Sequence, residues 1–314
     1  MQTVKNSNHW SNYWQGGQLT SLPQDFKFNY DGIIQQEWHK CFAKLKNKST
    51  IVDLCTGNCA IALLASQYSF EHCKDFCLTA VDAANITKEV ILKAHPQQKK
   101  YLDKIKLLAN SPIENLNLSH QHYDLITSQY GIEYSNWQQT AKKVAQLLKN
   151  NGTFMMLCHS SHSQIIKTMQ IEQKDYLFAI NHGLFRLFDV FSQAKLSFRN
   201  FNKRLKRIQN QLNSRFNQNP TELIRSLLIL NDKIATLSKK DIYQNLASIK
   251  IISQQHKNAY QRLADLLTVC TKLNQNPQWY EVFIEAGLTL VEQKPVYYHK
   301  QIHCGDLYKF TQTQ

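Results

Sequence analysis

Ser49-Thr50-Ile51-Val52-Asp53-Leu54-Cys55-Thr56-Gly57-Asn58-Cys59-Ala60-Ile61-Ala62-Leu63-Leu64-Ala65-Ser66 decides how the rest of the chain is read. Ile51 to Leu54 is a short apolar run holding one acid, the pattern of a strand buried on both faces. Thr56-Gly57-Asn58 is a turn centred on glycine, and Ala60 to Ala65 is made of helix formers. A strand that breaks at once into a helix leaves unpaired helix N–H groups at the turn, with room for a ligand where a side chain is missing. Asp53 puts negative charge beside that turn. A phosphate needs a cation there, so the loop suits a ligand with hydroxyls or a cationic amine.

Outward from this stretch the same unit recurs. Phe76 to Asp82 reads as a second buried strand, its terminal acid 29 residues after Asp53, the spacing of a strand–helix–strand unit. An acid at that position is placed to bind both hydroxyls of a ribose. Asn85 and Thr87 are expected to cap the next helix. Ile105 to Ala109 reads as a third strand, running into Asn110-Ser111-Pro112. Tyr123 to Ser128 is a fourth, running into Gln129-Tyr130-Gly131-Ile132-Glu133-Tyr134. Ser135 to Gln138 reads as a capping box for a helix reaching about Lys149, with Asn150-Asn151-Gly152 as its stop. Thr153 to His159 is a fifth strand. Five short apolar strands alternating with helices require a doubly wound α/β fold, a mostly parallel sheet covered on both faces. Ligands of such sheets sit outside the carboxyl ends of the strands, where Asp53 to Gly57, Asp82, Asn110, Ser128 and His159 all fall.

Asp53-Leu54-Cys55-Thr56-Gly57-Asn58-Cys59-Ala60 resembles the first motif of the class I S-adenosylmethionine-dependent methyltransferases, (D/E)-x-G-x-G-x-G. Cys55 and Cys59 stand where the outer glycines would, and a positive φ is costlier there than at glycine. The resemblance covers residues 45–160 and 278–312. It implies a seven-stranded sheet closed by a C-terminal antiparallel hairpin. Here a helix over Trp279 to Ala286, stopped by Gly287, precedes strands at Leu288 to Val291 and His303 to Phe310. It implies S-adenosyl-L-methionine as cofactor, held by Asp53, Cys55, Thr56, Gly57, Asn58, Asp82, Ala83, Asn110, Ser111, Pro112, Ser128, Gln129 and Tyr130. A dehydrogenase is disfavoured, because its loop brings a pyrophosphate against glycines and only Gly57 is left. Methyl transfer from an activated sulfonium is mostly positioning, with a general base where the acceptor is a hydroxyl. His159, Tyr130 and Glu133 are the catalytic candidates, followed by Tyr134, His162 and His303. The competing reading of His159 is a surface or hydrogen-bonded core histidine.

The flanking segments have other textures. Residues 1–48 hold Trp10, Tyr13, Trp14, Phe26, Phe28 and Tyr30, then a helical pattern from Ile33 to Leu45. They read as packing against the sheet or as a lid over its ligand. Residues 49–162 and 278–314 make the cofactor domain, and residues 163–277 an inserted all-helical segment of four or five helices that caps a site or binds a partner. Ser161 to Pro277 carries 18 Lys+Arg against 7 Asp+Glu, +11 of a total formal charge of +14. Lys203, Arg204, Lys206 and Arg207 could therefore track RNA phosphates, although a solvated amphipathic face has the same look. The fourth strand lacks the (D/N)-P-P-(Y/F) of nucleic-acid amino methylation, and no Pro-Cys pair of cytosine methylation is present. The expected activity is methyl transfer to a small-molecule acceptor enclosed by the insertion. The alternatives are an RNA (tRNA or rRNA) or ribonucleoprotein methyltransferase, and a non-catalytic module that keeps the fold.

No long apolar run and no hydrophobic leader over Met1 to His9 give the expectation of an unexported, cytoplasmic protein with no membrane span. The eight cysteines are expected to be reduced thiols. The Cys55/Cys59 and Cys73/Cys77 spacings are not those of a zinc knuckle, so no metal is expected. Homodimerisation through the helical segment is allowed, but its heptads are too short for a coiled coil.

Overall fold

The structure, a computed structural model, describes residues 8–22, 25–26, 28–298 and 301–312. The opening residues 1–7 lie outside the described residues. Two compact units partition the chain: Met1–Ile166 with Thr268–Gln314, and Lys167–Leu267.

The first unit runs α1 (Asn8–Trp14), α2 (Gly32–Ala43), β1 (Thr50–Leu54), α3 (Ala60–Glu71), β2 (Cys77–Val81), α4 (Lys88–Ala94), α5 (Lys99–Leu102), β3 (Ile105–Leu108), β4 (Tyr123–Gln129), α6 (Trp137–Leu147) and β5 (Leu148–Cys158). Six helices follow: α7 (Gln164–Asn181), α8 (Leu184–Ser192), α9 (Phe198–Gln218), α10 (Glu222–Ala235), α11 (Lys239–Gln244) and α12 (Leu246–Gln275). α13 (Glu281–Glu285) and the hairpin β6 (Leu288–Tyr298) and β7 (Ile302–Gln312) return to the sheet. The seven strands lie in the order β3-β2-β1-β4-β5-β7-β6, parallel up to β5, with β7 antiparallel to both β5 and β6. Alternation along the strands builds two cores. Ile51, Leu125, Met155 and Leu157 face the layer of α2 and α3, while Val52, Leu54, Ile126, Phe154 and Met156 face α6 and α13. This is the doubly wound, mostly parallel sheet with an antiparallel C-terminal hairpin.

The second unit has its own core. Phe188, Phe191, Phe201 and Leu212 are fully buried, and the Phe191 and Phe201 rings stack at 3.9 Å. Buried Asp175 accepts from Arg215 Nε and Nη2 at 2.9 and 2.7 Å and from the Thr221 hydroxyl at 2.6 Å, so its charge is fully partnered.

Several local expectations are corrected. The helical segment has six helices, because α11 is too short for its periodicity to show. Asn136, not Ser135, caps α6 by accepting from Gln139 N; the Ser135 hydroxyl instead donates to Ile132 O. Asn150-Asn151-Gly152 does not stop α6, which ends at Leu147. It bulges within β5, where register jumps between Tyr123 and Leu125 and Asn151 takes φ 64°. Thr87 alone caps α4, while Asn85 is engaged elsewhere.

Candidate active site

Strand order reverses between β1 and β4, and the crevice at such a switch point is where an open α/β sheet binds ligands. β1 delivers Asp53, 2% exposed, whose carboxylate accepts from the hydroxyls of Thr56 at 2.5 Å and Thr127 at 2.7 Å. Thr127 is its register neighbour on β4. The loop beyond turns sharply: Cys55, Gly57 and Cys59 all lie in the left-handed region, at φ 55°, 53° and 66°. Cysteine at two of these positions costs about 1–2 kcal/mol each, strain of the kind that persists where the surroundings fix a site. Gly131 lets the β4 loop press against this turn, since an added Cβ would stand 2.3 Å from that of Cys55.

Asp82 ties the loops together. Its Oδ2 accepts the Gly57 N–H and its Oδ1 the Ala84 N–H, both at 2.8 Å. Ser111 N donates to Asp82 O at 2.8 Å and Asn110 N to Ala84 O at 3.1 Å. Ala83 and Asn110 are exposed on this rim, and Pro112 is half-buried. At the end of β4, Ser128 is fully buried with no partner for its hydroxyl among the described residues. Gln129 Oε1 accepts from Trp38 Nε1 at 2.6 Å. Tyr130, at φ 52°, donates its hydroxyl to Cys304 O at 3.0 Å, and burial pushes its phenol well above the usual range. It is held neutral, with its proton committed.

Glu133 and His159 form a pair. The side chain of Glu133 is fully buried, and its Oε1 accepts from His159 N at 2.9 Å and faces His159 Nδ1 at 2.6 Å. A carboxylate in that position places the ring proton on Nδ1 and leaves Nε2 as the basic nitrogen. The ring centroid lies 4.6 Å from that of Tyr130 and 6.0 Å from that of Tyr134. His162 is exposed, and His303 Nε2 is held in the hairpin by Asp306 Oδ1 at 2.9 Å and Gly305 O at 3.1 Å. The structure thus gathers Tyr130, Glu133, Tyr134 and His159 and leaves the other two histidines out of that group.

What the sequence reading missed is how α1 docks. A Cβ on Gly57 would stand 2.5 Å from the indole of Trp14, so this ring lies on the bare backbone of the loop. Asn58 Nδ2 donates to Trp14 O and Gln18 O, both at 2.8 Å. Asn85 N donates to the Ser11 hydroxyl and Asn85 O accepts from Gln15 Nε2. Trp10 meets Tyr134 edge-on at 5.9 Å. The aromatic density of the opening segment was the available signal, but nothing in it named the loop as its seat.

A small cavity of about 40 Å³ lies beneath α1, lined among others by Trp10, Trp14, Tyr30, Asp53, Gly57 and Gln129. Its polar groups are carboxylate, amide and hydroxyl, with no lysine or arginine among the described residues. That donor set fits a cationic amine and ribose hydroxyls and does not fit a pyrophosphate.

Asp53 gives this site a pH signature. Burial raises its carboxyl from 3.8 to about 6, against the lowering effect of the two threonine hydroxyls. A raised folded-state value means its contribution is fully present below the unfolded value near 4 and is lost as pH rises through about 6. The unliganded protein is therefore expected to gain roughly 2–3 kcal/mol at pH 7.5 on Asp53→Asn, with little gain at pH 4.5. Urea unfolding of both proteins at the two pH values checks this; equal differences would refute it.

The sequence model of the ubiE/COQ5 methyltransferase family matches residues 26–207, more than half of the chain. The chain belongs to the ubiE/COQ5 methyltransferase family. It is a methyltransferase whose cofactor is S-adenosyl-L-methionine. The matched residues contain Asp53, Gly57, Asp82, Glu133 and His159. No curated protein matches the chain. Among solved structures, similarity extends to a complex of the Haloferax volcanii Trm112 methyltransferase activator with a putative methyltransferase, at 10% identity, TM-score 0.42, over 97% of this chain and 98% of that one. Haemonchus contortus phosphoethanolamine N-methyltransferase 2 bound to S-adenosyl-L-methionine is similar at 11% identity, TM-score 0.40, over 98% of this chain and 57% of that one. Streptomyces coelicolor geranyl diphosphate C-methyltransferase is similar at 8% identity, TM-score 0.34, over 40% and 45%. No helix among the described residues is long and apolar enough to cross a membrane.

Proposed function

We propose that the enzyme methylates a small molecule that enters the cavity beside Gly57, with His159 Nε2 accepting the acceptor's proton. The observation that carries this reading is the lining of the cavity. Its floor and walls are Trp10, Trp14, Tyr30, Tyr130 and Gln129, aromatic faces with a few fixed polar groups, which is how pockets for small ligands are built. Gln129 is pinned by Trp38, so its amide keeps one orientation.

When bound, S-adenosyl-L-methionine supplies a methyl group already activated on a sulfonium sulfur. The residues of this chain do the rest. Asp53 offers a buried carboxylate to a cationic amine, and Asp82 keeps a lone pair on each oxygen for the ribose hydroxyls beyond its two backbone bonds. Cys55, Thr56, Asn58, Ala83, Asn110, Ser111, Pro112 and Ser128 shape the rim around them. α1 and the residues just after it act as a lid: Trp14 lies on the loop, and Asn58 latches the carbonyls of Trp14 and Gln18. A closed lid excludes water and strengthens the electrostatics inside. Glu133 orients His159. Tyr130, neutral and bonded to Cys304 O, contributes a wall and an edge to His159 rather than a base.

The test is to incubate the enzyme with methyl-labelled S-adenosylmethionine and a cell extract split by ultrafiltration. Label is expected in the small-molecule fraction; label confined to the RNA or protein fraction overturns the reading.

A further inference from the structure

α9 is strongly amphipathic. Its 21 residues contain Arg199, Lys203, Arg204, Lys206, Arg207 and Arg215 and not one aspartate or glutamate. Phe201, Leu205, Ile208 and Leu212 form its buried stripe. At 3.6 residues per turn, Arg199, Lys203, Lys206 and Arg207 fall within about 100° directly opposite that stripe. All four are exposed, and none forms an ion pair among the described residues. Only Arg215 is neutralised, by Asp175. A solvated helix face ordinarily mixes both signs, because acids and bases three or four positions apart support each other. Here like charges stand one turn apart with nothing to offset their repulsion.

We infer that this face of α9 is a docking surface for the phosphate backbone of double-stranded RNA. Successive cations are offset by ~6, ~4.5 and ~1.5 Å along the helix axis, so the four span ~12 Å, a length over which one strand presents several phosphates. Asn200 lies among them, and Asn210 and Asn213 continue the face toward the C-terminus; their amides can bond 2′-hydroxyls and phosphate oxygens. The apolar stripe of α9 is committed to the core of its own unit, so its exposed face has no apolar surface to insert into a bilayer, which argues against a lipid surface. The exposed face carries no aromatic ring on which unpaired bases would stack, which favours a duplex over a single strand. This surface is independent of the methyl-transfer reading.

The test is fluorescence anisotropy of the full chain with a labelled RNA duplex of about 16 base pairs. Four neutralised phosphates predict a slope near −3.6 in log affinity against log salt, about 100-fold weaker binding at 200 mM than at 50 mM salt. The variant R199Q/K203Q/K206Q/R207Q should bind at least about tenfold more weakly at 50 mM and lose most of that slope. A control, K93Q/K142Q/K239Q/K240Q, removes the same charge from other exposed positions and should bind as wild type does. If the quadruple variant fails to fold by circular dichroism, R199Q/R207Q and K203Q/K206Q should each remove about half of the slope. No duplex binding by wild type, equal loss in the control, or loss of binding only to phosphatidylserine vesicles overturns the inference.

Discussion

Gly57→Val is expected to weaken binding of S-adenosylhomocysteine by about 100-fold or more while the chain stays folded. Gly57 is held at φ 53° with its N–H donated to Asp82 Oδ2, and the space where a side chain would stand is contacted by the Trp14 indole. A β-branched residue there must adopt a backbone conformation it strongly disfavours and must displace the indole. The fold can absorb this, because α1 is a peripheral segment and the sheet core beneath the loop is untouched, so the stability cost should stay within about 2–4 kcal/mol. The ligand cannot absorb it, since the bare backbone is the surface it needs. Equilibrium dialysis reads the affinity and urea unfolding the fold; retained binding in a folded variant would refute the assignment. Combining Gly57→Ala with Trp14→Ala separates the two neighbours of the missing side chain. If the ligand needs the space, removing the indole does not restore binding.

His159→Ala is expected to lower kcat by about 10²- to 10⁴-fold with the affinity for S-adenosylhomocysteine unchanged. The His159 side chain keeps 11% of its surface exposed, while Glu133 behind it is inaccessible. Added imidazole should restore part of the lost rate in His159→Ala, which a merely structural role would not permit. Glu133→Gln acts through the histidine. An amide can donate where the carboxylate only accepted, so the ring no longer has one fixed tautomer, and kcat should fall by about 10²-fold or more. An unchanged kcat in both variants would remove proton transfer from the account and leave positioning alone.

How much of this was legible in the sequence depended on whether a local pattern carried the information. The alternating strands were legible because each is an apolar run closed by a polar residue, and the family resemblance supplied the antiparallel C-terminal hairpin. Asp53, Gly57, Asp82 and Asn110 could be placed at strand ends for the same reason. The seat of α1 was not legible: Trp14 meets Gly57 across 43 positions of chain, and nothing local encodes that distance. Asn58 illustrates the point. By position it read as a ligand residue, yet its amide holds α1. The bulge at Asn151 was misread as a helix stop because Asn-Asn-Gly suits both, and only pairing with β4 distinguishes them. Glu133 and His159 were legible as candidates, but their bond joins loops from two different strands and needed coordinates.

The account stands on cofactor binding at the carboxyl ends of β1 and β2. Calorimetric titration of the unmodified protein with S-adenosylhomocysteine tests it most directly. One molecule is expected to bind per chain, with affinity lost when Asp82 is replaced by alanine. No binding to the wild type, or binding that Asp82→Ala leaves unchanged, would contradict it.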